Sequence, residues 1–280
     1  MISDGIALVA FSPDHLEGAT RLSQQAGWPH RLEDWQVALA LSAGSVAVAG
    51  EARVIGTALL TPYGCDAGTI NMVIVDEGER GQGLGRRLMQ QVLRLAGERR
   101  LQLIATADGL PLYEKLGFSA VREIARHQGP VAQVVARSES VRAATPDDIA
   151  EITALDAAAF GADRSHLLAH IASIGDFAVL EREDRRVGFA ALRRFGRGLV
   201  IGPVVASDLE DAKALVAHVL AAREGEFVRL DTGVETGLAP WLSSLGLAHA
   251  GGGIVMHRTA ITATPRQSPT TFALASQAFG

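Results

Sequence analysis

One pattern is written twice along this 280-residue chain, at an offset of about 130 residues, and that constrains the fold more than any local signal. Residues 53–59, Arg-Val-Ile-Gly-Thr-Ala-Leu, return in outline as residues 185–192. The run Leu112, Tyr113, Glu114, Lys115, Leu116, Gly117, Phe118 returns as Trp241, Leu242, Ser243, Ser244, Leu245, Gly246, Leu247. Val141 to Asp148 likewise repeats the opening strand and the Ser12-Pro13-Asp14 turn. A unit of this length is a domain and not a solenoid repeat. Strand and helix periods alternate within each unit, so the expected class is α/β (α+β), in two tandem domains. The limits read from the sequence are 1–137 and 141–258, with a tail over 259–280. Phe272, Leu274 and Phe279 in that tail predict that part of it docks on the body.

Within the first unit, strands are expected over 6–11, 45–49, 53–60, 70–75 and 101–105, with helices over 32–41 and 110–116. Residues 118–126 and 131–137 read as a closing pair of strands. The most informative stretch is 70–89. Ile70, Met72, Val73, Ile74 and Val75 form a mostly apolar run, as in a strand buried on both faces. A loop with Gly81, Gly83 and Gly85 follows, and Leu84, Leu88, Val92 and Leu95 then fall at helical spacing. A strand entering a helix through glycines presents free amides at the positive end of a helix dipole, which is a site for a phosphate ester. Arg80 and Arg86 add charge. The loop is no P-loop, because Arg86 and Arg87 stand where Lys and Ser or Thr are needed, and no register of it gives Gly-x-Gly-x-x-Gly. At the same place the second unit reads Ala206-Ser207-Asp208-Leu209-Glu210-Asp211, without glycine and with acids that would repel phosphate. Leu242 replaces Tyr113, so the second unit is a degenerate copy.

A net charge of −5 argues against nucleic acid as a general partner. The single cysteine, Cys65, excludes an internal disulfide framework and a cysteine-based metal cluster. His166 and His170 are four apart but have no third ligand nearby, so no metal is expected. The N-terminus has no basic n-region, and the apolar residues 37–50 fall short of a membrane span. The expectation is therefore a cytoplasmic protein without a membrane partner, with a homodimer open.

Arg80-Gly81-Gln82-Gly83-Leu84-Gly85 fits Arg-x-x-Gly-x-Gly and resembles the pyrophosphate loop of the GNAT superfamily of acyl-CoA-dependent N-acetyltransferases. Tyr113 through Phe118 resembles the family's Tyr-x-x-x-Gly-Phe segment, in the same order and spacing. The match covers residues 1–137, and the whole arrangement is similar to bacterial two-domain GNAT proteins, which implies two tandem GNAT-like domains, each a mixed, bent sheet flanked by helices. The resemblance implies transfer of an acetyl group from acetyl-CoA, as co-substrate, to a primary amine on a small-molecule acceptor, by direct attack. It implies that Arg80, Gly81, Gln82, Gly83, Leu84, Gly85 and Arg86 hold the pyrophosphate. Val73, Ile74 and Val75 would lie along the pantetheine arm, and a backbone amide of that strand would face the thioester oxygen. Tyr113 would be the general acid to the departing thiolate. The family often has asparagine seven residues before the tyrosine; Thr106 stands there, which implies different bonds to the arm.

The base is left open by the residues. Asn71 is the polar side chain of the anchor strand and cannot be a base, and Glu77 and Glu79 read as solvated loop acids. His30, in Gly27-Trp28-Pro29-His30-Arg31, is a candidate because an imidazole takes a proton near neutral pH. Trp28 and Trp35 either wall the acceptor site or pack in the core. The rival readings are a non-catalytic acyl-CoA sensor and a scaffold whose loop binds no nucleotide.

Overall fold

The computed structural model describes residues 5–132, 137–221, 223–258 and 269–280. The first half runs β1 (Ile6–Ala10), α1 (Leu16–Gln25), α2 (Leu32–Leu41), β2 (Ala43–Ala49), β3 (Arg53–Tyr63), β4 (Ala67–Val75), α3 (Leu84–Ala96), β5 (Arg100–Ala105), α4 (Leu110–Lys115) and β6 (Ser119–Pro130). The second half repeats the order as β7 (Val141–Ala143), α5 (Ile149–Phe160), α6 (Ser165–Ile174), β8 (Gly175–Arg182), β9 (Arg185–Phe195), β10 (Gly198–Ala206), α7 (Leu209–Leu220), β11 (Phe227–Gly233), α8 (Leu238–Ser244) and β12 (Ala248–Arg258). A last strand, β13 (Thr270–Ala273), has no counterpart among the described residues of the first half.

The described strands form one 13-stranded sheet in the order β1-β2-β3-β4-β5-β12-β6-β11-β13-β10-β9-β8-β7. The two halves therefore exchange a strand. β12 from the second half lies antiparallel to β5, with Ile254 opposite Ala105 and Arg258 opposite Leu101. β6 from the first half lies antiparallel to β11, with Phe227 opposite Pro130 and Gly233 opposite Ile124. β6 and β12 pair with each other at the centre. The junction read at 138–140 divides the chain but not the sheet. The closing pair expected over 118–126 and 131–137 is corrected: β6 runs on to Pro130, Val131 and Ala132 lie outside any strand, and residues 133–136 lie outside the described residues. The place beside β6 is filled by β12, whose glycine run permits the close approach. A Cβ on Gly252 would stand 1.7 Å from the Ile124 carbonyl oxygen, so only glycine fits.

Two further expectations shift. α3 buries Leu84, Leu88, Val92 and Ala96, a strict four-residue step, while Leu95 is exposed. Ala96 thus takes the position assigned to Leu95, because the apolar stripe drifts by less than one residue per turn. The core is shared across the junction as well: Phe11, Trp35 and Val46 pack in one cluster with Ile152, Phe189 and Phe279. Phe272, Leu274 and Phe279 of the tail are all buried, and residues 259–268 of it lie outside the described residues. None of the helices among the described residues is long and apolar enough to cross a membrane.

Candidate active site

β4 and β5 are parallel and pair only from Ala67 to Thr69 against Arg100 to Gln102. Beyond Thr69 they splay, which opens the sheet at residues 70–73. A bulge in β4 turns these residues: the ladder with β3 steps from Leu59 opposite Asn71 to Thr57 opposite Ile74, so Met72 and Val73 face one residue. Met72 adopts φ +49°, and the Thr57 hydroxyl donates to its carbonyl at 2.6 Å. Such a backbone is strained for a side chain with a Cβ, and here a buried threonine holds it.

The splay opens into a cavity of about 340 Å³. Val73, Leu103, Thr106 and Tyr113 line one side of it, and Gly27, Trp28, Pro29 and His30 another. The second half supplies Phe195, Arg229 and Gly252, and the tail supplies Ser276, Gln277 and Ala278. Arg126 of β6 completes the wall. Val73 thus lines the cavity, whereas the Ile74 side chain is buried in the core on the other face of β4. Val75 lies near the loop, 3.6 Å from where a Cβ on Gly85 would stand.

The loop leaves backbone donors open at the start of α3. Gly81 and Gly83 have φ +79° and +78°, a conformation that favours glycine, and Gly83 is the N-cap of α3. Among the described residues the first backbone bond into the helix is the Arg87 amide to the Gly83 carbonyl, at 3.1 Å. Among the described residues the amides from Gly81 through Arg86 make no hydrogen bond, so they remain open to an acceptor. Gln82 and Arg86 are exposed around them, Leu84 turns into the core, and the exposed Arg80 donates to the Val75 carbonyl at 3.3 Å. In the second half the same positions are closed. The Asp208 carboxylate accepts from the Asp211 amide at 2.9 Å, and Arg182 pairs with Asp211. β13 also fills the second splay, pairing with both β10 and β11.

Tyr113 is buried on the wall with its ring edge-on to Phe118, and its hydroxyl has no hydrogen-bond partner among the described residues. Burial pushes the phenol up to about 12, so it stays protonated. His30 is caged by Trp28, Trp35 and Phe195, at ring distances of 5.7, 6.4 and 5.5 Å. Burial pushes its imidazole down to about 4; Asp34 opposes this and Arg229 adds to it. The expectation of an imidazole titrating near neutral pH is corrected: an apolar cage disfavours the cation. The linkage has a definite sign. The unfolded chain binds this proton below about pH 6.5, so the stability His30 contributes as a neutral group is complete above that pH and is lost as the pH falls towards 4. Wild type is expected to lose about 2 kcal/mol more than His30→Gln between pH 7 and pH 5, read from urea unfolding. Equal losses would show that His30 is not held neutral.

Trp35 is also corrected. It is fully buried, donates its indole N–H to Ser23 at 2.8 Å and does not reach the cavity; Trp28 does. Residues from the second half carried no signal in sequence, since Phe195 meets His30 only through tertiary packing and Arg229 reaches the first half through the pairing of β11 with β6. The tail is fastened at the same place: the Tyr63 hydroxyl donates to the Phe279 carbonyl at 2.6 Å, and Gln277 donates to Asp231 at 2.7 Å.

Residues 42–120 match a family model described as an acetyltransferase (GNAT) domain, and residues 152–271 match a second model of the same description. A Bacillus subtilis (strain 168) protein described as the uncharacterized N-acetyltransferase YitH is 31% identical over 236 residues, 80% of this chain and 81% of that one. Among solved structures, a putative acetyltransferase from Pyrococcus horikoshii superposes with a TM-score of 0.81 at 18% identity, covering 100% of this chain and 98% of its own. A GCN5-related N-acetyltransferase from Sphaerobacter thermophilus gives 0.65 at 20% identity, over 93% of this chain and 98% of its own. At these identities the structural likeness is one of fold.

Proposed function

The chain belongs to the GNAT family of N-acetyltransferases, with two such domains in tandem, and from that premise we propose that the first of them alone transfers acetyl from acetyl-CoA to a primary amine. The observation that carries this reading is the asymmetry of the two loops: the amides of Gly81 to Arg86 are unpartnered, whereas Asp208 caps the corresponding turn. In this reading Arg80 to Arg86 hold the donor's pyrophosphate, and the splayed edge of β4 at Val73 receives the pantetheine arm. Acetyl-CoA supplies an activated thioester. The amine nitrogen attacks its carbonyl carbon, the N–C bond forms, the C–S bond breaks, and the electron pair leaves on sulfur.

Strand β4 and Tyr113 assist that transfer. A main-chain amide at the bulge around Met72 and Val73 faces the carbonyl oxygen as it gains charge. Tyr113, protonated at any working pH, donates to the departing sulfur, and the proton shed by the nitrogen returns to the phenol through solvent. His30 is neutral and contributes shape and a ring nitrogen to the acceptor side, while the amine arrives deprotonated.

Calorimetric titration with acetyl-CoA tests the reading. One site per chain is expected; two would restore the second loop as a binding site, and none would overturn the proposal. Tyr113→Phe is expected to lower kcat by at least about 10-fold with the donor Kd unchanged, since it removes a proton donor and not a binding contact. An unchanged kcat would remove Tyr113 from the mechanism.

A further inference from the structure

The cavity wall has two chemically different parts. One part is an amide oxygen without a partner. Asn71 donates through Nδ2 to the Thr61 hydroxyl and the Thr69 carbonyl at 2.8 and 3.2 Å, which fixes the orientation of its amide. Its Oδ1 is then left buried with no hydrogen bond among the described residues. A buried acceptor left unpaired costs about 1–3 kcal/mol, so this oxygen, on a residue that lines the cavity, points to a donor that arrives with a ligand. An amine is such a donor.

The other part is a set of guanidinium groups in excess over carboxylates. Among the described residues Arg126 bonds one main-chain oxygen, that of Ala250, through Nε at 2.9 Å and through Nη2. Arg229 is held by Asp231 through Nε and Nη2 at 2.8 and 3.0 Å, and neither bond uses Nη1. Arg193 lies behind them, its guanidinium bonded to the Ala275 carbonyl and stacked at 5.3 Å on the Phe195 ring, which meets Arg229 at 5.2 Å on its own account. Among the described residues the acids that act on these arginines are Asp231 and Asp34, and Asp231 already holds Arg229 and Gln277. Asp34, the next acid, is taken up by Arg31 and the Gly196 amide. Among the described residues no aspartate or glutamate lines the cavity. Burial, and after it the charge on Arg229, pushes the Arg126 guanidinium below its ordinary range, which is the mark of a cation short of a counterion.

We propose that the acceptor is a small amine that also carries an anionic group, carboxylate or phosphate, with its nitrogen at Asn71 and its anion at Arg126 and Arg229. The inference rests on the acyl-transfer reading above and adds the substrate class to it. The same cations give the amine its reactive form. A positive wall lowers the pKa of a nearby ammonium and so favours the neutral nucleophile, in a cavity whose histidine is too weak a base to extract the proton. It also rejects polycationic amines, and a volume of about 340 Å³ suits a small molecule.

The test is thiol release from acetyl-CoA with three acceptor panels: free amino acids including ω-amino acids, phosphoethanolamine, and the same amines without the anion (amino acid amides and ethanolamine) together with spermidine. At least one anionic panel is expected to turn over, with kcat/KM at least about 10-fold above its uncharged counterparts. The better of the two anionic panels identifies the anion. Arg126→Gln is expected to raise KM for that acceptor by about 10-fold and to leave the acetyl-CoA Kd from calorimetry unaltered. Neutral amines or spermidine performing as well, or no anionic amine turning over in a protein that binds the donor, would overturn the proposal while leaving acyl transfer standing. Absence of donor binding in calorimetry would take down the acyl-transfer reading, and this one with it.

Discussion

Gly83→Glu is expected to lower the affinity for acetyl-CoA at least about 100-fold, about 2.7 kcal/mol, without unfolding the protein. Gly83 is the N-cap of α3 with φ +78°, and a Cβ built there meets nothing within 4 Å. The new side chain therefore costs only the left-handed conformation, about 1–2 kcal/mol, which a chain with these cores can absorb. Charge is what decides. A carboxylate at this point satisfies the free amides of Gly81 to Arg86 itself and gains from the positive end of the helix dipole, so it competes with the pyrophosphate and repels it. Asp208 already does this at the N-cap of α7 in the second half. Gly83→Asn is the control, because asparagine tolerates the left-handed region and is neutral. It is expected to keep donor affinity within about threefold and to shift Tm by no more than the Glu variant does. Calorimetry and a thermal melt separate the outcomes: equal donor affinity in both variants would mean that the loop is a turn and not a site.

Much of the architecture is legible in the sequence because it is local. The strand, the glycine loop and the amphipathic face of α3 each follow from residues adjacent in the chain, and so does the loss of the loop in the second half. The repeat carries the rest of each half, down to Leu242 in the place of Tyr113. What escaped is the strand exchange. A strand pattern specifies which face is buried but not which of two equivalent partners it pairs with, and β6 and β12 are equivalent by the repeat itself. Everything that depends on the exchange was hidden with it. Arg126 reads as an ordinary charge in a strand until β11 places Asp231 opposite it and Arg229 beyond. The bulge at Met72 was hidden for another reason: no glycine marks it, and its φ of +49° is held by Thr57 from the neighbouring strand. His30 and Trp35 show the limit of residue type as evidence. Both sit near the first helices as expected, but packing makes one a neutral ring and the other core.

Arg164→Leu is expected to be the most destabilising single change at the junction, by roughly 3–5 kcal/mol, with a fall in Tm on the order of 10 °C. Arg164 and Asp156 are both fully buried and meet through two bonds, of 2.8 and 2.6 Å. The same guanidinium donates to the carbonyls of Phe279 and Gly280 at 3.2 and 2.7 Å and lies 3.9 Å above the Phe160 ring. One side chain thus ties α5 to the tail, where Tyr63 of β3 holds the Phe279 carbonyl from the first half. Leucine fills part of the volume but leaves Asp156 as a buried charge without a counterion, which is where most of the loss arises. The functional consequence follows from position. Ser276 to Ala278 line the cavity and Gln277 holds Asp231, so a tail released at residues 279 and 280 loosens the acceptor wall, while the glycine loop is untouched. Acceptor KM should rise with the donor Kd unchanged, and limited proteolysis should trim the tail first. The double variant Arg164→Leu, Asp156→Leu separates the two roles. It removes the stranded carboxylate and should recover a large part of the stability, because apolar replacement of a whole buried pair is often neutral. It cannot recover the acceptor KM, because the Phe279 and Gly280 carbonyls still lack their donor. A single variant that melts within about 2 °C of wild type, or a double variant with a restored KM, would show that the tail is held by its apolar contacts alone.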